Sequence, residues 1–85
     1  MSEMDADGFT KTMDQLIDGW CERRKLQPLR IILRAYPLAS GLTDDWEGLR
    51  AALRLIRASC REDLEPQEFD AVVALIQATD RALER

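Results

Sequence analysis

Apolar residues recur along this chain at helical spacing, in three long stripes and one short one. Phe9, Met13, Leu16, Ile17 and Trp20 follow the i, i+4, i+7, i+8, i+11 pattern of a single buried helix face. The pattern predicts a first helix over about 9–24. Arg23, Arg24 and Lys25 come at its end, where cations suit the negative pole of the helix dipole. Ahead of it, residues 1–8 are acidic, contain Gly8 and show no period, which reads as a flexible acidic tail preceding a single helical domain over 9–85.

The second stripe is short. Pro28 fits a first helical turn, where its missing N–H costs nothing, and Pro37 stops the helix by pushing Tyr36 out of the α region. A helix over about 28–36 follows, with Leu29, Ile32, Leu33 and Tyr36 inward and Leu26 placed to close over Ile31 as a hydrophobic staple. Ser40-Gly41 marks a loop, and Thr43 is a good N-cap for a third helix over about 44–61. Its seam, Trp46, Leu49, Leu53, Ile56 and Cys60, alternates steps of three and four. Pro66 opens a fourth helix over about 66–84, with Phe69, Val72, Val73, Ile76 and Leu83 as its core stripe and Leu64 and Phe69 as a second staple. Short connections make sequential helices antiparallel neighbours. The fold class is therefore all-α, a small four-helix bundle whose second helix is short.

Two helices carry more apolar surface than one core face needs. On a wheel of the third helix the arginines occupy one side strip, and most of the remainder is small or apolar, including Gly48, Ala52 and Leu55. Opposite the core stripe of the fourth helix lie Ala71, Leu75, Ala78 and Ala82, spaced 4, 3, 4. Ile31 stands away from the core face of the second helix. In a bundle each helix touches two neighbours, which accounts for part of such an arc. The alternative is a face for another chain, because small residues let helices approach closely and small domains gain missing core by associating. A homodimer, or another protein as partner, is expected through these residues.

Composition removes several chemistries. The 85 residues include no histidine and two cysteines, Cys21 and Cys60, both expected on or beside core stripes. A tetrathiolate zinc site and a histidine-based triad are thereby excluded within one chain. There is no glycine-rich phosphate loop and no nucleophile motif, so the expectation is a protein without catalytic residues, metal or cofactor. No apolar run reaches the roughly 18 residues of a membrane span, and an acidic N-terminus does not resemble a secretory leader. A cytoplasmic location with reduced thiols is expected.

The net charge of −4 is unevenly spread. Residues 1–22 hold one lysine against six acids, residues 23–61 nine cations against three acids, and residues 62–85 two arginines against seven acids. Basic middle helices are thus set to pair with acidic outer ones. The second reading is an arginine-lined site for an anionic ligand or nucleic acid, built from Arg30, Arg34, Arg50, Arg54, Arg57 and Arg61. Nucleic acid is the weaker branch. Asp44, Asp45 and Glu47 fill the first turn of the third helix, where base contacts normally lie, and repel phosphate. Asp80, close to the core stripe of the fourth helix, lies near a fraying end, where partial exposure is the simpler account; the alternative is a pair with an arginine of the first or second helix.

Overall fold

The computed structural model describes residues 6–36 and 43–83. Four helices form: α1 (Ala6–Glu22), α2 (Leu26–Leu33), α3 (Thr43–Ser59) and α4 (Pro66–Leu83), with a 3-10 turn at Arg61–Asp63 between the last two. Among the described residues there is no strand. α1 packs on α2 and α4, and α3 packs on the same two helices, so the four close a ring around one core. The expected loop, residues 38–42, and the remainder of the expected tail, residues 1–5, lie outside the described residues.

The boundaries depart from the sequence pattern where local physics competes. α1 begins at Ala6 rather than Phe9, with Asp7 in its first turn where an acid complements the positive end of the dipole. Ala6–Gly8 are therefore helix and not tail. α1 stops at Glu22 by a Schellman closure: Lys25 N–H donates to Trp20 C=O at 2.8 Å and Arg24 N–H to Cys21 C=O at 3.2 Å. The closure requires a left-handed residue, and Arg24 supplies it at φ 58°. α2 then starts immediately, at Leu26. Pro28 occupies its third position, still among the first four residues whose N–H groups have no helical acceptor. α2 ends at Leu33 rather than Tyr36, and the N–H groups of Ala35 and Tyr36 both turn onto Ile32 C=O. α3 ends at Ser59, two residues early, where the chain tightens into the 3-10 turn.

The core holds Phe9, Met13, Leu16 and Trp20 from α1, Ile32 from α2, and Leu49, Ala52, Leu53 and Ile56 from α3; Cys60 just beyond α3 and Val72, Leu75 and Ile76 from α4 complete it. The stripes expected for α1 and α3 are thus the ones buried. The Phe9 and Trp46 rings meet edge to face at 5.4 Å and tie the start of α1 to the start of α3. Several expectations need correction. Of the stripe expected for α4 only Val72 and Ile76 are buried, and Phe69, Val73 and Leu83 are partly exposed. Leu33 is 52% exposed, because the short α2 turns only Pro28 and Ile32 fully inward. Leu26 is 56% exposed and does not close a staple by burial. Cys21 lies on the solvent side of α1, one position past the buried Trp20, whereas Cys60 is buried as expected.

One part-buried ion pair joins the end of α1 to the start of α4. Glu68 is only 8% exposed, and its Oε1 accepts from Arg23 Nη2 at 2.6 Å and from the Glu65 backbone N–H at 3.1 Å. The second bond is half of a capping box: the third helical residue reaches back to the N-cap, with Pro66 at the first position. Glu65 adds a 3.3 Å contact to the same guanidinium. Gly19 makes room, since a Cβ there would lie 3.3 Å from Glu68 Oε2. Burial pushes the Glu68 carboxyl up, but the Arg23 hydrogen bond, the Glu65 N–H and the Arg23 charge outweigh it, and the result lies below the ordinary 4.5. The buried Trp20 indole N–H adds a weaker pull in the same direction without reaching hydrogen-bond geometry.

Two stability measurements check these joints. Arg24→Gly relieves a left-handed side-chain conformation and is expected to raise the urea midpoint by about 0.5–1 kcal/mol of stability, a gain smaller than the strain because glycine also frees the unfolded chain. An unchanged or lower midpoint would refute strain at that turn. Glu68→Gln should cost about 1–3 kcal/mol at neutral pH by weakening a charged, largely buried hydrogen bond. The folded carboxyl lies below its unfolded value, so its contribution is complete above about pH 4.5 and is lost as pH falls through the folded value. The wild-type midpoint should therefore drop more steeply than that of the Gln variant as pH falls below 4.5; parallel curves would contradict the pairing.

Candidate partner-binding groove

α2 has eight residues and α3 has seventeen, so α2 spans roughly 12 Å against about 25 Å for α3. Among the described residues the shorter helix leaves one flank of α3 uncovered, and the two form an open groove of about 1200 Å³. Its α3 wall runs from Asp45 through Gly48, Ala52 and Leu55 to Ser59. Its α2 wall carries Leu26, Ile31 and Ala35, with Arg30 and Arg34 among the lining residues. Leu26 and Leu55 are 56% and 51% exposed, which places two large apolar side chains in reach of whatever enters.

Helical geometry explains why the α3 wall is uncharged beyond its first turn. The core seam and the Arg50/Arg54 row occupy two sides of the α3 wheel, and Gly48, Ala51, Ala52 and Leu55 take the third. Small side chains keep that wall low, so Leu55 stands out from it. Ser59 Oγ donates to Leu55 C=O at 2.7 Å and takes its hydroxyl out of competition at the end of the groove.

Of the residues expected to contact a partner, Ile31, Gly48, Ala52 and Leu55 line this groove, from two helices, although Ala52 is itself a buried core residue and Ile31 packs partly against the core. The α4 set is not. Leu75 is fully buried, and Ala71 and Ala78 pack against the core. Ala82 is only partly exposed near the end of α4. α4 has a second inward face because it sits between α1 and α3, and Leu75 and Thr79 fill it. Thr79 is buried at no hydrogen-bonding loss, as its hydroxyl donates to Ile76 C=O at 2.7 Å.

The six arginines divide among different settings. Arg50 donates to Asp80 Oδ1 at 3.1 Å, and Arg54 approaches the same oxygen at 3.6 Å, so these two join α3 to α4. Asp80 thus takes its cations from α3 and not from the first two helices. Arg61 stacks over the Phe69 ring, 5.1 Å from its centre. Arg57 is exposed on α3. Only Arg30 and Arg34 reach the groove, one helical turn apart, and among the described residues neither forms an ion pair. The single anion site expected from all six does not assemble.

Leu26, Gln27, Ala35 and Asp45 also line the groove and were not expected there. Leu26 is a large apolar residue two positions before Pro28, a pattern that a hydrophobic staple fits equally well. The chain matches no family model, no curated protein and no solved structure. Among the described residues no cluster of three or more acids or cysteines is set to hold a metal ion, and no helix is long and apolar enough to cross a membrane.

The contrast between Leu55 and Leu75 is directly measurable. Leu75→Ala should lose about 2–5 kcal/mol as a core truncation, whereas Leu55→Ala should stay within about 1 kcal/mol of wild type. Equal losses in denaturant titration would mean that Leu55 is also a core residue.

Proposed function

We propose that this protein is a non-enzymatic protein-interaction module that seats an apolar helix in the groove between α2 and α3. The observation that carries the reading is that groove itself, with Leu26 and Leu55 half-exposed over a floor of small residues. Its dimensions suit a helix. A helix is about 10 Å across and rises 1.5 Å per residue, and the α3 wall from Gly48 to Ser59 runs roughly 16 Å, or three turns. Helix-in-groove recognition reads apolar anchors at i, i+3 or i+4, and i+7, a spacing that fits such a trough.

Self-association belongs to the same proposal only through this groove, because Leu75 is spent inside the chain. A reducing, cytoplasmic setting is also part of it and rests on the two thiols, exposed Cys21 and buried Cys60.

Selection of helical peptides about three turns long from a displayed random library tests the reading. The enriched peptides should share an apolar stripe at helical spacing, perturb the amide resonances of Ile31 and Leu55, and lose at least tenfold in affinity for Leu55→Glu. Binding that ignores Leu55→Glu, or no enrichment at all, would overturn it.

A further inference from the structure

The geometry points to a specific occupant for the groove: an acidic amphipathic helix of another protein, its apolar stripe on Leu55 and Ile31 and its carboxylates on Arg30 and Arg34. The inference rests on the helix-binding reading and adds the partner's chemistry.

Three observations carry it. First, the groove's charge is one-sided. The α3 wall is uncharged from Gly48 to Ser59 apart from its far end at Asp45, while α2 places two exposed guanidinium groups four residues apart along its wall. Carboxylates one turn apart on an incoming helix meet that spacing, and the planar guanidinium fork accepts a carboxylate in a bidentate manner. Second, among the described residues these two arginines form no ion pair, in contrast to Arg23, Arg50 and Arg54, which are held by Glu68 and Asp80. Third, a second copy is a poor fit to the same surface. Two copies meeting face to face would set a concave trough against a concave trough and bring four arginines together, opposed by only the two Asp45 side chains. An isologous interface needs a self-complementary patch, and this one is not.

The arginines stand at the rim, where exposed pairs act on selectivity and association rate more than on affinity. The apolar stripe supplies the binding, and charge chooses among helices that present one.

The test uses the full chain and two synthetic helical peptides with the same leucine stripe, one flanked by glutamates and one by lysines. At low salt the acidic peptide should bind about tenfold more tightly, and the ratio should shrink as salt screens the rim. The double variant Arg30→Glu/Arg34→Glu, at exposed positions that leave the fold intact by circular dichroism, should invert the preference. Equal affinities that still depend on Leu55, or a preference for the basic peptide, would overturn the acidic partner while leaving the helix-binding reading in place. Failure of both peptides to bind would overturn both. Light scattering provides the last arm: a wild-type dimer that Leu55→Glu converts to a monomer would make a second copy the occupant and overturn the inference.

Discussion

The Arg23–Glu68 pair is the joint on which the arrangement of helices depends. A four-helix ring must be closed between its first and last members, and those are farthest apart in sequence. Glu68 does this from a buried position while also capping its own helix, so one carboxylate fixes both where α4 begins and where α1 ends. A buried charge is costly unless its partners are in place, and removing any of them leaves the remainder uncompensated. The pair therefore penalises alternative packings of α1 against α4 more than it adds net stability. Trp20 and Gly19, directly beneath it, are the residues that such alternatives would displace.

The same region determines the groove. The Schellman closure at Arg24 reverses the chain within three residues, so α2 starts at once and packs on α1. It then ends after only two turns. Eight residues fill the core with Pro28 and Ile32 and leave α3 half-dressed on its outer flank. Exposing leucines there forgoes burial worth about 25 cal/mol for each Å², in a chain small enough for that loss to matter. A partner helix would recover it.

Charge in this protein works at two levels. Arg23, Arg50 and Arg54 face acids across helix seams, as the acidic–basic–acidic distribution along the chain anticipates, and orient helices relative to one another. Arg30 and Arg34 belong to the same basic block but face outward. Composition alone treats all of them alike; only their position on a helix separates an orienting charge from one that faces a partner.

Much of the architecture was legible in residue spacing. The all-α class, the four helices in order, the shortness of the second and the buried stripes of α1 and α3 all follow from periodicity and proline placement, because these are local properties of a few turns. Half of the candidate contact surface was legible too: Ile31, Gly48, Ala52 and Leu55 stood out as apolar positions beyond what one core face requires. What spacing could not decide was which second faces the chain would use for itself. Leu75 and Leu55 look alike on their own helices, yet one lies between two neighbouring helices and the other beside a helix too short to reach it. The capping role of Glu68, the left-handed turn at Arg24 and the division of the arginines likewise depend on which helix ends meet. Those outcomes are set by contacts between residues as many as 45 positions apart, and no local pattern encodes a distance that only the closed ring defines.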